Sequence, residues 1–233
     1  MLVFNDLKIA HSDGHIVIKD TNTAVAKGER ILIVGESGSG KSTLFRAVAG
    51  LWPWGSGGIT HPVRETMMFM PQRPYLPLGQ LRAAITYPSP ANKFKQEEIE
   101  AALKRCGLEH LIERLDETEK WERILSIGEQ QRVQFCRVLL HKPGWVFMDE
   151  ATSALDDKLQ QSMMQLFDNE LKGSSAISIA HRSGLDSFHH RTLSLVKAEG
   201  GAKLVTKKPE APQRKRRRTA KFFSALGRQK DPD

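Results

Sequence analysis

An α/β fold built around a parallel sheet is what this 233-residue sequence predicts. Two observations carry that expectation. The apolar run Ile31-Leu32-Ile33-Val34 leads into Gly35-Glu36-Ser37-Gly38-Ser39-Gly40-Lys41-Ser42, and a helical pattern follows from Ser42 to Ala49. A second apolar run, Trp145-Val146-Phe147-Met148, ends in the acidic pair Asp149-Glu150. Strands of parallel sheets are buried on both faces and read as continuous apolar runs, and ligands of such sheets collect at the strands' C-terminal tips. With 39% hydrophobic residues the chain is long enough for a full α/β core and a smaller inserted lobe.

The end of the first run has the spacing of a phosphate-binding P-loop: glycine, four residues, then glycine, lysine and serine, set between strand and helix. Glycines let backbone N–H groups turn toward phosphate oxygens, and the following helix N-terminus adds positive potential. Lys41 is placed to reach the β- and γ-phosphates, and the Ser42 hydroxyl to ligate Mg²⁺. The candidate nucleotide-binding set is therefore Gly35, Glu36, Ser37, Gly38, Ser39, Gly40, Lys41, Ser42 and Thr43, and the expected ligand is a nucleoside triphosphate. At the tip of the second run, Asp149 is the candidate Mg²⁺ holder, mostly through water. Glu150, one residue on, can orient or deprotonate an attacking water, so the pair predicts hydrolysis rather than binding alone.

The remaining elements follow from periodicity and turn chemistry. Val3–Ala10 and His15–Lys19 flank the turn Ser12-Asp13-Gly14 and read as an N-terminal antiparallel portion. Met67–Met70 reads as a strand that delivers Gln72, its methionines filling core. Glu97–Leu115 carries apolar residues at helical spacing, broken by Gly107, and forms a small helical lobe. Asp156 can cap a helix over 157–171, and His181 follows the apolar stretch Ile177-Ser178-Ile179-Ala180.

Composition bounds what else the chain can be. No stretch nears the ~20 apolar residues needed to cross a bilayer, and Leu2-Val3-Phe4 opens as a strand, not a signal peptide, so the chain is not expected to span a membrane itself. Two cysteines, Cys106 and Cys136, both in helical patterns, read as buried free thiols. The net charge of +8 is confined to residues 203–233, which hold eleven Lys/Arg and three Asp/Glu; residues 1–202 hold 24 of each. This tail, with Arg214-Lys215-Arg216-Arg217-Arg218 among prolines, is expected to be disordered, with anionic lipid head groups as its candidate partner and no specific nucleic acid.

Leu125-Ser126-Ile127-Gly128-Glu129-Gln130-Gln131-Arg132 resembles the signature motif of the ABC ATPases. In that family's order, Met70-Pro71-Gln72 resembles the Q-loop, Ser153-Ala154-Leu155-Asp156 the D-loop, and His181 the switch histidine. Ile127 and Glu129 depart from the commonest signature, which has glycine and glutamine there. Trp121-Glu122-Arg123-Ile124 before the signature, with Gly50-Leu51-Trp52-Pro53-Trp54-Gly55, resembles the subfamily D transporters and their bacterial relatives, which fuse a permease to an ATPase.

That resemblance implies an ABC cassette over residues 1–202: a P-loop NTPase with a RecA-like core, an N-terminal antiparallel β portion and a helical subdomain over about 74–140. It implies the ATPase domain of an exporter-type ABC transporter, in which two copies sandwich ATP. Ser126 and Gly128 would then bind the γ-phosphate of the partner copy's ATP, Gln72 would touch Mg²⁺ and the water, and His181 would steady Glu150 and the phosphate. His11 aligns with the position that stacks on adenine. The implied partners are a second ATPase domain and a transmembrane permease domain, fused or separate, meeting Pro74–Gly79 at the cytoplasmic face of a bacterial inner membrane, or of a peroxisomal membrane in a eukaryote. The alternative is a soluble ABC ATPase acting on nucleic acid or ribosomes.

Overall fold

The computed structural model describes residues 1–180 and 185–207. His181 and residues 208–233 of the basic tail lie outside the described residues.

Nine strands form one continuous sheet. β1 (Leu2–Ala10) and β2 (Ile16–Val25) make the antiparallel hairpin, with β4 (Gly55–Thr60) on the outer side of β1. β3 (Arg30–Gly35), β5 (Met67–Met70), β8 (Trp145–Asp149), β9 (Ser175–Ile179) and β10 (Arg191–Ala198) are the parallel strands, in the spatial order β10, β3, β9, β8, β5. β11 (Gly201–Lys207) pairs antiparallel with β10 and meets β2, joining the two portions. The hairpin turn closes where expected: His11 N donates to His15 O at 2.8 Å and Gly14 adopts φ +87°. A separate pair, β6 (Gly79–Gln80) and β7 (Thr118–Glu119), lies in the helical lobe.

The helices are α1 (Lys41–Val48), α2 (Leu81–Thr86), α3 (Gln96–Arg105), α4 (Trp121–Ile124), α5 (Ile127–His141) and α6 (Asp157–Met164). Because side chains alternate across a strand, β8 feeds two cores at once. Trp145 and Phe147 pack with Leu44, Phe45 and Val48 of α1, whereas Val146 and Met148 face the helical lobe with Leu103, Val133 and Phe135. This double burial is why the 145–148 run has no polar positions. Cys106 and Cys136 are both buried and free, and burial pushes the Cys136 thiol well up.

Two boundaries differ from expectation. Residues 203–207 belong to β11, not to the tail: Ala202 and Leu204 are buried beneath the sheet while Lys203 points outward. A period-two pattern that short is masked in the sequence by its lysines. The helix expected over 157–171 is α6, ending at Met164 and tightening into a 3₁₀ turn at Gln165–Phe167. Asp168, a poor helix former, instead pairs with Arg30 at 2.5 Å, while Leu166, Phe167 and Leu171 all bury.

Candidate functional site

The site lies at the C-terminal ends of β3 and β8, as expected for an open parallel sheet. β3 ends at Gly35, and residues 36–40 turn tightly into α1. A Cβ on Gly35 would sit 2.8 Å from Ser39 Oγ and 2.9 Å from Leu195 O; one on Gly40, at φ +96°, would sit 2.5 Å from Val17 Cγ1. Only glycine lets the loop close at these two points.

Inside the loop, Lys41 is 6% exposed and its Nζ donates to Gly35 O and Glu36 O, both at 2.8 Å. Burial lowers its pKa, and the carboxylates of Glu150 and Asp149 oppose that shift. A buried cation turned back onto its own loop's carbonyls fits a group awaiting anionic oxygens. Ser39 Oγ, buried with no hydrogen-bond partner among the described residues, fits the same cradle. The Glu36 carboxylate pairs with Lys197 of β10 at 2.7 Å, an exposed pair that lowers the Glu36 pKa. Glu36, Ser37 and Gly38 are all exposed, with their backbone N–H groups in the loop.

Ser42 and Asp149 line one cleft, together with Arg46, Phe69, Pro71 and Phe147. A hydroxyl and a carboxylate across a cleft are oxygen donors of the type Mg²⁺ selects. Beyond Asp149 the chain turns sharply: Glu150 adopts φ +51°, and its N–H donates to Ile179 O at 3.0 Å. A left-handed glutamate is strained, of order 1–3 kcal/mol, and neighbouring structure must hold it. Gln72 Nε2 donates to Glu150 Oε2 at 2.8 Å, so the end of β5 and the end of β8 are brought together.

Ser126 and Gly128 sit elsewhere, at the N-terminus of α5. Ser126 is the N-cap: its Oγ accepts from Glu129 N at 3.3 Å and its backbone N–H donates to Glu129 Oε2 at 2.9 Å, a reciprocal capping box, and Oγ also donates to that carboxylate oxygen at 2.7 Å. His110 Nε2 meets the other carboxylate oxygen, Oε1, at 2.9 Å. Burial raises the Glu129 pKa, but hydrogen bonds from Ser126 and then His110 outweigh it, and the net shift is downward. A Cβ on Gly128 would lie 3.3 Å from Ala154 O, so the helix end nearly touches the 153–156 turn. Asp156 Oδ1 accepts from Leu159 N at 2.8 Å and is the N-cap of α6. His11 is exposed on the hairpin turn, ring edge to Trp52 at 5.7 Å and stacked with His15 at 6.2 Å. Trp52 fixes this turn through Nε1 to Ala10 O at 2.7 Å.

Sequence reasoning missed the residues that connect these pieces. Gln131, fully buried, donates from Nε2 to Ser153 Oγ at 3.1 Å and accepts at Oε1 from Ala154 N at 3.0 Å. Gln134 donates to Pro71 O at 3.1 Å, and Arg137 to Ala84 O at 2.9 Å and Tyr75 O at 2.8 Å. Their signal was available as polar residues three apart, 131, 134 and 137, on a helix otherwise rich in apolar residues.

A glycine-framed loop with a buried lysine at a helix start, facing paired carboxylates on a neighbouring strand tip, defines a P-loop nucleoside-triphosphatase site. Residues 18–153 match the family described as ABC transporter. Over 83% of its length the chain is 42% identical to an uncharacterised ABC transporter ATP-binding protein of Haemophilus influenzae, covering 33% of that protein. It is 36% identical to ABC transporter D family member 1 of Arabidopsis thaliana over 85% of the chain and 15% of the relative. For ATP-binding cassette sub-family D member 3 of Homo sapiens the identity is 33%, over 84% of the chain and 30% of the relative. Among solved structures, a bacterial Atm1-family ABC exporter with ATP bound superposes with a TM-score of 0.76 at 26% identity, over 88% of this chain and 37% of that one. The chain belongs to the ABC transporter family. It is an ATP-binding domain resembling those of exporter-type members, and it spans a third or less of the curated relatives just named.

Proposed function

We propose that this domain powers transmembrane transport by hydrolysing ATP at two composite sites, each shared between the P-loop of one copy and the α5 N-terminus of another. The observation that carries the reading is the division of the site. Lys41, Asp149, Glu150 and Gln72 converge at the strand tips, whereas Ser126, exposed at the N-cap of α5, has no hydrogen bond to residues 35–42 among the described residues. A helix N-terminus with a serine hydroxyl and a glycine N–H binds phosphate well, so a second copy is the natural source of its ligand.

In this reading Lys41 leaves the carbonyls of Gly35 and Glu36 for the β- and γ-phosphate oxygens, and backbone N–H groups from 36 to 43 complete the cradle. Ser42, Asp149 and the amide oxygen of Gln72 would hold Mg²⁺, which when bound neutralises phosphate charge. Glu150 orients the attacking water and takes its proton, with the Gln72 amide fixing the carboxylate. His181 would steady the same group, and the His11 imidazole would receive the adenine face. The D-loop Asp156, structurally an N-cap, would face the partner copy.

The permease domain would dock at the Q-loop exit, where Tyr75 and Leu78 are 59% and 80% exposed although Leu76 is buried. Among the described residues no helix is long and apolar enough to cross a membrane, so spanning segments would come from the rest of a fused protein or a separate subunit. Its place is the cytoplasmic face of a membrane, a bacterial inner membrane by its similarity to bacterial proteins. The basic tail would rest on anionic lipid. Similarity to transporters favours this reading over action on nucleic acid or ribosomes. Turnover and ATP binding of Glu150→Gln test it: binding is expected to persist with turnover lost, and retained turnover would remove Glu150 as the base.

A further inference from the structure

α5 carries a largely buried polar seam that ties it to other segments. Four side chains on one face, the buried Gln131, Gln134 and Arg137 and the half-buried His141, hydrogen-bond groups of other segments rather than one another. Gln131 joins Ser153 Oγ and Ala154 N, with longer approaches of Nε2 to Glu150 O at 3.4 Å and Gln72 O at 3.5 Å. Gln134 holds Pro71 O, Arg137 holds Tyr75 O and Ala84 O, and His141 Nε2 donates to Thr86 O at 2.9 Å. One rigid helix is thus pinned to the turn after β8, to the peptide before Gln72 and to the segment leaving it. Its N-terminal residues are the ones read as gripping a partner copy's phosphate.

We propose that Gln131 is a positioning residue that transmits the placement of the α5 N-terminus to Glu150 and Gln72 of the same copy, so that hydrolytic geometry is completed when α5 is engaged. The inference rests on the hydrolytic reading above. Gln131 lies five residues from Ser126, about 7.5 Å along the helix, so a tilt of the helix end moves it with little loss. Its amide offers both a donor and an acceptor, and it spans the turn that holds Glu150 in its left-handed conformation. A hydrophobic side chain of the same length would keep the packing and drop the connection.

The test is steady-state ATP hydrolysis and thermal unfolding of the 233-residue chain carrying Gln131→Met, Ser153→Ala or both, beside unaltered protein and His141→Leu, a control for loss of a half-buried donor on the same helix. Gln131→Met is expected to lower kcat about ten-fold or more with KM for ATP within about three-fold, since a misplacement near 1 Å costs that much. Ser153→Ala, which keeps the fold even if Gln131→Met does not, is expected to lower kcat less, and the double variant no further than Gln131→Met alone. His141→Leu is expected to lose Tm without that kcat loss. Unchanged kcat in Gln131→Met and Ser153→Ala, or a kcat loss that follows Tm equally in His141→Leu, overturns the proposal while the unaltered chain still hydrolyses ATP. An unaltered chain that binds ATP without hydrolysing it instead overturns the hydrolytic reading on which the proposal rests.

Discussion

At the scale of single residues, the site is arranged by burial and by who competes for each hydrogen bond. Lys41 is buried among loop carbonyls, where Gly35 O and Glu36 O accept its hydrogen bonds and the Glu150 and Asp149 carboxylates favour its charge. Lys41→Ala is expected to weaken ATP binding at least about 100-fold, the loss of a buried hydrogen-bonded charge contact costing about 3 kcal/mol, measured by titration with labelled nucleotide. Glu129 offers a pH test. Its folded pKa is depressed, so its contribution to stability is complete above the usual Glu value of about 4.3 and is lost as pH falls through the lower folded value. Glu129→Gln keeps a capping box, so unfolding at neutral pH should change by less than about 1 kcal/mol while the acid loss between pH 5 and 3 becomes shallower. An unchanged acid profile would place that dependence on other carboxylates. These residue-level features were partly legible. Lys41, Ser42, Asp149 and Glu150 declare themselves by spacing, but the His110–Glu129 contact joins segments nineteen residues apart and no local pattern announces it.

At the scale of elements, two helices and one strand do the positioning. α1 begins where Gly40 ends the loop and buries Leu44, Phe45 and Val48 against Phe147, so the phosphate cradle stands on core packing. α5 is less ordinary because Arg137 is buried with no carboxylate partner among the described residues. Burial lowers its pKa to about 10, and carbonyls of Tyr75 and Ala84 with the Tyr87 ring at 5.3 Å are its partners. Arg137→Met would leave two carbonyls unpaired yet relieve a buried charge, so the expected loss is about 1–3 kcal/mol, or about 2–12 °C in Tm. An increase in Tm would mean the seam is not structural at that point. For β11, a chain ending at residue 207 is expected to unfold at a higher temperature than one ending at 202, because Leu204 burial and pairing with β10 are lost in the shorter chain. Equal Tm values would return 203–207 to the tail. This strand was missed because five residues rich in lysine beside a longer basic segment carry almost no alternating signal. α6 was over-extended for the opposite reason, since apolar spacing continued after the helix had ended.

For the whole molecule, one sheet places the phosphate loop and the carboxylates at the C-terminal tips of its parallel strands, while Ser126 at the start of α5 makes no hydrogen bond to that loop among the described residues. The sheet order was not readable from the sequence, because β3 lies between β9 and β10, strands more than a hundred residues later. The fold class, the motif order and the lobes were readable, since each motif carries its own local chemistry. The proposed second copy, which would bring Ser126 and Gly128 to the phosphates, is the central claim.

Sedimentation of the Glu150→Gln chain, with and without MgATP and across protein concentrations, tests that claim most directly. A monomer that becomes a dimer only with MgATP, and fails to do so when Ser126→Ala is added, is the predicted result. A chain that binds MgATP yet stays monomeric at every concentration, or dimerises equally without nucleotide, would contradict it.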